Sequence, residues 1–434
     1  MEKLFDIHRS HYADQLEEDL IGQRVRIAGW IEDIRDIGKL IFVIVRDVTG
    51  TVQLVAAGVK AQPIKEAHRQ SSVIASGTVQ KSKAKDFPFE VKVDELVVLS
   101  NAVNPLPIDP TGRVQSSLDK RLDCRSLDLR NPKVSAIFKL RSRGLEVIRE
   151  TLREERFIEV TTPKIIGSAS EGGANLFGFE YFKKKAYLAQ SPQLYKEQLT
   201  LGLDRVFEIG PYFRAENSHT IRHLTEFTSI DIEAAFMDYS DVMDVLEKVM
   251  ARIALEFNKQ ASQESASGNQ IKNFPIPDSR IKRLTYEQCL DELVNEGQTL
   301  RFGEDLSDAS LRKLGELHEG FYFITDWPLE LKPFYIYEKQ DNPKVSESFD
   351  LQYGYLELAS GGRRQHDPSK LKARLLEQGL NPASFSEHLK SFDWGMPPHS
   401  GWGMGFDRLM MVMTGAQNVR EVVLYPRDTD RLSP

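Results

Sequence analysis

The sequence predicts an α+β protein in which a small all-β domain precedes a larger domain of mixed helices and strands. Three observations predict this fold class. Five short strand patterns lie within residues 21–100, helix and strand patterns alternate from residue 132 onward, and a proline-rich stretch, Asn101–Val114, separates the two regions. The length of 434 residues agrees with two or three domains at about 150 residues each.

The N-terminal strand patterns have the number and spacing of a small closed barrel. Turn residues separate them, and five strands within about 80 residues are typical of the OB-fold. The predicted strands are Arg24–Ile34, Leu40–Val45, Thr51–Ala57, Ser71–Val79 and Phe89–Leu99. We expect the barrel over residues 1–104, with a helix in 58–70, a linker over residues 105–131, and the second domain over residues 132–434.

The second domain opens with a long helix pattern, because apolar residues recur at helical intervals through Ser135–Arg156. The following stretch, Phe157–Ile166, has a strand pattern that Pro163 interrupts. A strong amphipathic pattern over Ser240–Asn258 predicts another helix, with Ser240 as its N-cap. These elements are expected to flank a sheet.

Further strands and an insertion complete the predicted second domain. The strand patterns are Val206–Ile209, Ser229–Ala235 and Glu357–Ala359. A helical and loop insertion is expected around residues 259–330. It begins with the serine-rich stretch Lys259–Gln270, whose polarity predicts a surface loop. The patterns from residue 132 onward therefore predict an α+β domain.

The composition excludes several classes of protein. A hydrophobic fraction of 41% and a charged fraction of 28% exclude wholesale disorder, and a net charge of −7 argues against a protein that coats nucleic acid. Two cysteines cannot build a disulfide framework, which favours a reducing, cytoplasmic setting. No apolar run approaches the roughly 20 residues that cross a bilayer, and the N-terminus has no signal-peptide pattern.

Two charged stretches, Phe213–Glu216 and Arg222–Phe227, flank a short polar loop between predicted strands. Together they carry two arginines and a histidine, and arginine suits the bidentate capture of carboxylate or phosphate. Taken alone, the pattern fits a solvated charged hairpin equally well. It therefore predicts an anion site only in combination with other motifs.

A glycine-rich stretch, Gly401–Arg408, is followed by a helix pattern near the C-terminus. Alternating glycines allow a backbone to approach another surface closely, although a tight turn is the common alternative. The spacing matches neither the dinucleotide fingerprint nor the P-loop. Pro163 by itself predicts only an edge strand or a bend.

Together and in this order, Pro163, the two charged stretches and Gly401–Arg408 resemble the three signature motifs of class II aminoacyl-tRNA synthetases. The resemblance implies a catalytic domain built on an antiparallel sheet flanked by helices, and the N-terminal barrel narrows it to the subgroup that charges aspartate, asparagine or lysine. Two further stretches, Gly167–Asn175 and Ala189–Lys196, resemble aspartyl-tRNA synthetases of the archaeal type, which some bacteria also carry. The third motif ends in Asp407–Arg408, where Glu-Arg is usual.

The resemblance implies a ligase that joins L-aspartate to ATP as aspartyl-adenylate and then to the 3′ end of tRNA(Asp). Arg214 and Arg408 are its implied catalytic residues. The resemblance implies an ATP site of Arg214, Ala215, Glu216, Arg222, His223, Leu224, Phe227, Glu357, Gly405, Phe406, Asp407 and Arg408. Phe227 and Arg408 would enclose the adenine, and Glu216 would meet its edge. The protein supplies mainly positioning and charge neutralisation.

Aspartate recognition is expected to need fixed cations, because the side-chain carboxylate must leave water. Lys196 and Arg364 are the candidates, and the resemblance implies that Asp231 orients Lys196. Glu171 and Gln193 would hold the α-amino group. The implied aspartate site is Glu171, Gln193, Lys196, Arg214, Asp231, Ser360 and Arg364. An asparagine-charging relative typically lacks a lysine at the Lys196 position.

The resemblance also implies Mg²⁺, an anticodon site and a homodimer. Asp350, Glu357 and Ser360 would hold the metal, since oxygen ligands suit it. The anticodon site would be Arg35, Phe42, Gln53 and Lys85, on the barrel. Strand alternation leaves open whether Phe42 is a stacking residue or part of the barrel core. In the homodimer, the long first helix and the strand around Pro163 would meet a second copy.

Other functions remain open at the level of the sequence. An asparagine–tRNA ligase, a paralogue that activates an amino acid but charges no tRNA, and a non-catalytic RNA-binding protein are the alternatives. An ATP–pyrophosphate exchange assay distinguishes the non-catalytic RNA-binding protein from the enzymes. A tRNA charging assay then distinguishes the paralogue from the ligases. Charging of tRNA(Asn) is also open, because Glu32 departs from the residue of compared relatives, whereas Lys85 matches the type restricted to tRNA(Asp). The balance of these two residues favours tRNA(Asp).

Overall fold

A computed structural model describes residues 7–167, 176–216, 220–266 and 280–434 of the chain. Contacts divide the chain into two compact units, Met1–Asn131 and Pro132–Pro434. Among the helices that the structure describes, none has the length and apolar character needed to cross a membrane.

The first unit contains a closed barrel of five strands in the order β1-β2-β3-β5-β4, which confirms the predicted OB-fold. Its elements are β1 (Arg24–Asp36), β2 (Leu40–Arg46), β3 (Thr51–Ala57), α1 (Gln62–Lys65), β4 (Ser72–Lys81), β5 (Phe89–Ser100), α2 (Leu118–Asp123) and α3 (Arg125–Asp128). Helix α1 lies between the third and fourth strands, where the sequence predicts a helix.

The alternation along β2 decides which face Phe42 occupies. Ile41, Val43 and Val45 are buried in the barrel core, as expected for every second residue of a strand. Phe42 is half-buried and lies on the opposite face. The apolar run of this strand therefore divides into a core side and an outer side, and Phe42 belongs to the outer one.

The second unit begins with the long helix and a group of short strands. Its first elements are α4 (Pro132–Glu154), β6 (Ile158–Glu159), β7 (Ile165–Ile166), β8 (Gly178–Tyr181), β9 (Lys184–Leu188), α5 (Gln193–Leu203), β10 (Arg205–Phe213), β11 (Glu226–Ala235) and α6 (Tyr239–Ala266). Pro163 separates β6 from β7, and the two strands belong to different sheets.

The remaining elements complete a large sheet. They are β12 (Lys282–Thr285), α7 (Tyr286–Asn295), α8 (Asp308–Leu317), β13 (Phe321–Thr325), β14 (Ser348–Tyr353), β15 (Leu356–Arg363), α9 (Pro368–Glu377), α10 (Ser386–Phe392), β16 (His399–Gly405) and α11 (Phe406–Thr414). The sheet has the order β12-β13-β14-β15-β16-β11-β10-β6. It is mixed rather than purely antiparallel, because β12 pairs in parallel with β13, and β6 with β10.

Helices α4 and α6 pack on each other and supply the main core of this unit. Leu140, Ile148 and Leu152 of α4 are buried there with Trp402 of β16. The apolar stripe that the sequence places on α4 is therefore used within the chain. It does not itself indicate an interface with a second copy.

Helix α6 differs from its prediction at both ends. The carboxylate of Asp238 accepts the backbone N–H groups of Ser240 and Asp241 at 2.8 and 2.9 Å, so Asp238 takes the capping role predicted for Ser240. The Ser240 hydroxyl instead accepts from Arg283 at 2.8 Å. The helix continues to Ala266, through part of the stretch predicted as a loop.

Candidate active site

One cavity of about 330 Å³ opens on the central strands of the large sheet. Strands β11, β15 and β16 provide its floor, and α5 and the start of α11 contribute side chains. The predicted site residues that line it are Gln193, Lys196, Arg214, Glu216, Arg222, His223, Leu224, Phe227, Asp231, Glu357, Ser360, Arg364, Gly405, Asp407 and Arg408. The structure thus brings together residues that are up to 215 positions apart, from Gln193 to Arg408.

At one end of the cavity, Lys196 is buried among acceptors. Its ammonium lies 3.1 Å from Asp231 Oδ1 and 3.5 Å from Glu233 Oε2, and it donates to the carbonyl of Trp402 at 3.3 Å. Ser229 donates to the other oxygen of Asp231 at 2.6 Å. A buried ion pair with this many hydrogen bonds holds its charges in fixed positions.

A second buried pair lies beside the first. Arg364 donates to Glu233 from Nε at 3.0 Å and from Nη2 at 3.3 Å. The glycines of β16 make room for the acidic partners, since a Cβ at Gly401 would lie 2.4 Å from Glu233 Oε2 and one at Gly403 would lie 2.9 Å from Asp231 Oδ1. The glycine-rich motif is therefore a strand in close contact with carboxylates, and the tight-turn alternative is wrong.

At the other end, Arg214, Arg222 and Arg408 converge on the same cavity. Burial lowers the pKa of Arg408, Glu357 opposes this, and the charges of Arg214 and Arg222 lower it further. Burial and the same arginines lower the pKa of His223. Mutual repulsion among cations is relieved by a bound polyanion, so this end of the cavity suits a triphosphate.

All three of these arginines contact protein groups, and Arg408 donates to the backbone carbonyl of Glu357 at 3.2 Å. Arg222 binds Asp308, at the first turn of α8, with Nη2 and Oδ2 2.5 Å apart. The Arg214 guanidinium lies 5.3 Å from the centre of the Phe227 ring and 3.9 Å from the Glu216 carboxylate. The ring predicted to stack on adenine therefore faces a cation in this state.

Two carboxylates, Asp350 and Glu357, interact beside the cavity. Desolvation raises the pKa of Glu357, and the negative charge of Asp350 raises it further. Asp350 pairs with Ser360 across β14 and β15, and its Oδ2 accepts from Lys332 at 2.8 Å. Its buried Oδ1 has no hydrogen-bond partner among the described residues. A hard cation at this position would fill that vacancy and offset the repulsion, so these oxygens fit Mg²⁺.

Among the described residues, three of those predicted for the substrate and metal sites do not line the cavity, and a fourth lies outside the described part of the chain. Phe406 is fully buried in the core, and its ring lies 4.8 Å from the Arg141 guanidinium, so its side chain is a packing group rather than an ATP contact. Ala215 and Asp350 lie just outside the cavity lining. Glu171, with most of the Gly167–Asn175 motif, lies outside the described residues.

Asp407 lines the cavity but is held by the protein. Its carboxylate pairs with Arg141 at 2.6 Å and accepts from the backbone of Thr228 at 2.8 Å. This acid, at the position where the family usually has glutamate, anchors the start of α11 to α4 and β11. Its side chain therefore has a structural contact as well as its place in the motif.

The sequence prediction omits Glu233, Glu197 and Lys332. Glu233 could have been predicted from the sequence, because it lies two residues after Asp231 on the same strand and so shares its face. Glu197 is four residues after Gln193 on a helix and so shares its side. Lys332 lies in no element with a periodic pattern, so only the folded chain identifies it.

On the barrel, a groove of about 930 Å³ is lined by Arg35, Phe42 and Gln53. Gln53 donates to the buried carboxylate of Glu90 at 2.6 Å, which fixes the orientation of its amide. Lys85 is exposed and does not line the groove, although the residues on either side of it do. An open groove with an aromatic ring and basic side chains is suited to unpaired bases.

Glu32, which differs from the residue at this position in compared relatives, forms an ion pair within the barrel. Its carboxylate binds Arg46 of β2 through two guanidinium nitrogens. A bidentate pair of this kind fixes both side chains on the surface of the barrel.

Comparisons with known proteins find relatives of both parts of the chain. The family model described as tRNA synthetases class II (D, K and N) matches residues 117–429, and a model of the OB-fold nucleic acid binding domain matches residues 25–99. An aspartate–tRNA(Asp/Asn) ligase of Methanothermobacter thermautotrophicus is 44% identical over 99% of this chain and 100% of its own length. A ligase of the same name from Methanocaldococcus jannaschii is 46% identical over 98% of each chain.

Solved structures share the whole fold. Asparaginyl-tRNA synthetase from Pyrococcus horikoshii, complexed with asparaginyl-adenylate, has a TM-score of 0.92 and 35% identity, covering 99% of this chain and 100% of its own. Aspartyl-tRNA synthetase from Entamoeba histolytica has a TM-score of 0.83 and 32% identity, covering 97% of this chain and 92% of its own.

Proposed function

Because this chain belongs to the class II tRNA synthetases of the aspartate, lysine and asparagine group, we propose that it is an aspartate–tRNA ligase. The observation that carries this function is the pair of buried cations, Lys196 and Arg364, in the same cavity as three arginines. The first end suits a carboxylate side chain and the second a triphosphate. Pyrophosphate exchange that depends on aspartate, followed by charging of tRNA(Asp), tests the proposal.

The choice of aspartate over asparagine follows from the charges. Arg364 binds Glu233 along one edge of its guanidinium, which leaves the Nη1 side for a substrate carboxylate. Lys196 is fixed by Asp231 and reinforces the positive potential there. A neutral amide lacks the negative charge that pairs with these cations, and its NH₂ group would face other donors, so asparagine is the weaker substrate.

The two chemical steps require positioning and charge neutralisation from this chain. Arg214 would lie between the α-carboxylate of aspartate and the α-phosphate of ATP, where negative charge accumulates during attack. Phe227 would stack on adenine, and Arg222, His223 and Arg408 would hold the outer phosphates. In the second step the terminal ribose hydroxyl of the tRNA attacks the adenylate, and the same residues keep the reacting groups aligned.

Magnesium would be held by Asp350, Glu357 and Ser360, the oxygen groups at the phosphate end. Bound there, it would supply charge neutralisation for the departing pyrophosphate. Lys332 keeps Asp350 oriented through a 2.8 Å hydrogen bond. This leaves the unpartnered oxygen of Asp350 available for the cation.

Phe42 provides a test of anticodon binding. We expect Phe42→Ala to weaken tRNA charging by about 1–3 kcal/mol, because one stacked base loses its platform. Pyrophosphate exchange should stay near wild type, since Phe42 lies in the other compact unit. The melting temperature should also stay near wild type, because Phe42 is outside the barrel core. If Phe42→Ala lowers the melting temperature and leaves tRNA affinity unchanged, Phe42 packs in the barrel and does not bind the anticodon.

A second substrate, tRNA(Asn), is favoured by the names of the similar proteins. The Methanothermobacter and Methanocaldococcus relatives are both named as ligases for tRNA(Asp/Asn). These names favour a ligase that charges both tRNAs, whereas Lys85 favours one that charges tRNA(Asp) alone. Parallel charging of the two transcripts by the same preparation decides between them.

We expect the chain to form a homodimer. Strands β6 and β7 are edge strands of their sheets, and each presents a large apolar side chain, Ile158 at 47% and Ile165 at 48% exposure. Exposed apolar edge strands are suited to pairing with another chain. Sedimentation at micromolar concentration should give a dimer, and Ile158→Lys with Ile165→Lys should shift it to monomer. A wild-type species of 49.4 kDa alone would contradict a stable dimer.

A further inference from the structure

Glu197 is a fully buried carboxylate one helical turn beyond Gln193 on α5. It does not line the cavity, and the sequence motifs assign it no role. We define the Glu197 cluster as Gln193, Glu197, His388 and His399. These four residues come from α5, α10 and β16, and they meet behind the aspartate end of the cavity.

Two hydrogen-bonding side chains and a second histidine surround the carboxylate of Glu197. Gln193 Nε2 donates to Oε1 at 2.6 Å, His399 Nε2 lies 3.4 Å from Oε2, and His388 Nε2 lies 3.6 Å from the same oxygen. His399 Nδ1 also lies 2.7 Å from the carbonyl of Pro397, which can only accept. Nδ1 of His399 therefore carries a proton, and Nε2 faces the Glu197 carboxylate.

The electrostatics agree with an ionised Glu197. Burial would raise its pKa, but the hydrogen bond from His399 and the positive charges of His399 and Arg364 lower it below the ordinary value. Burial lowers the pKa of His399, and Glu197 and Glu233 raise it above the ordinary value. These directions favour an ionised acceptor behind Gln193.

An ionised carboxylate fixes the amide of Gln193, because it can only accept hydrogen bonds. The NH₂ group of Gln193 must face Glu197, and its amide oxygen is the group left for the cavity that Gln193 lines. A glutamine with a neutral partner could turn either end toward the cavity. Only the oxygen end can accept from an ammonium group.

We propose that Glu197 is a positioning residue for the α-ammonium of aspartate, which it serves by fixing the amide oxygen of Gln193 toward the substrate. His399 keeps Glu197 ionised and in place. The proposal rests on the proposed function, since it concerns recognition of the same amino acid. It separates two tasks within the site: Lys196 and Arg364 hold the side-chain carboxylate, and the Glu197 cluster selects the amino group.

The test compares aspartate with succinate, the same dicarboxylate without the amino group. In Glu197→Gln, we expect the KM for aspartate in pyrophosphate exchange to rise about 10- to 100-fold, the scale of a charged hydrogen bond. The KM for ATP should change less than about twofold. The inhibition constant for succinate should stay the same or fall, because Arg364 gains positive potential when the Glu197 charge is removed.

Two further variants make the role specific. Gln193→Met should cause the same loss for aspartate, and adding Glu197→Gln to it should cause no further loss, since one acts through the other. Glu208→Gln is the control, because it removes another buried carboxylate of this unit. It should leave unchanged the ratio of the KM for aspartate to the inhibition constant for succinate. Equal weakening of aspartate and succinate in Glu197→Gln, or additive losses in the double variant, would overturn the proposal.

Stability and the underlying function have their own controls. If Glu197→Gln does not fold, Glu197→Gln with His399→Gln removes both members of the buried pair together, which is better tolerated than removing one. This double variant should show the same loss that is selective for aspartate. Wild-type exchange is measured first, because its failure with aspartate would reject the proposed function, whereas failure of the succinate comparison alone would reject the role of Glu197.

Discussion

Replacing Lys196 with methionine is expected to cost about 3–5 kcal/mol of transition-state stabilisation, which lowers kcat/KM for aspartate by about 10²- to 10³-fold or more. The substitution keeps the length of the side chain but removes the cation. It leaves Asp231 and Glu233 buried without their ammonium partner, and their repulsion then opposes entry of a substrate carboxylate. The KM for ATP should change little, because the arginines at the other end of the cavity are untouched.

Steady-state pyrophosphate exchange with varied aspartate and ATP measures the Lys196→Met effect. Lys339→Met is the matched control, because the Lys339 ammonium lies 2.8 Å from Asp326 and outside the cavity lining. That variant should keep a wild-type KM for aspartate. Equal losses for ATP and aspartate in Lys196→Met would mean that Lys196 does not hold the side-chain carboxylate.

Replacing Arg214 with glutamine should lower kcat for adenylate formation by about 10²- to 10³-fold, the scale of losing one fixed donor to a developing negative charge. The reason is the role proposed for Arg214, between the α-carboxylate of aspartate and the α-phosphate of ATP; its side chain lines the cavity beside Phe227 and Glu216. Binding of ATP should weaken less than the rate, because Arg222 and Arg408 still face the phosphates.

Single-turnover formation of the adenylate separates this chemical step from substrate binding for Arg214→Gln. Arg283→Gln serves as the control, since Arg283 pairs with Asp244 and Glu247 on α6 and does not line the cavity. It should keep the wild-type rate. A variant of Arg214 that loses only affinity, with an unchanged single-turnover rate, would contradict a role in the chemical step.

The predicted barrel and the predicted helices rested on local patterns that tertiary structure did not override. Alternation gave the five barrel strands, and helical spacing gave α4 and α6, because each amphipathic face had a core to cover. The prediction was less accurate at boundaries. Asp238 displaced Ser240 as the cap of α6, since several nearby side chains could fill the same position and only the backbone geometry selects one.

Most of the predicted site residues lie within the sequence motifs, and the family resemblance supplied their expected roles. Lys196, Arg214, Asp231 and Arg408 come from separate segments, and the structure brings them to one cavity. Phe406 shows the limit of a motif, because its place in the motif did not reveal that its side chain points into the core. A motif identifies which stretch of backbone is used, whereas the strand or helix it forms decides where each side chain points.

The sequence by itself determined the fold class, the family and the types of residue at the site. The fold class depends on periodicity and turn residues, which are local properties, and the family was identified by the resemblance of the ordered motifs to class II aminoacyl-tRNA synthetases. Only the tertiary structure decided that Phe42 lies outside the barrel core and that Glu197 meets His388 and His399 behind the aspartate pocket. Such contacts join residues about 200 positions apart, and their charges depend on burial, which no local pattern encodes.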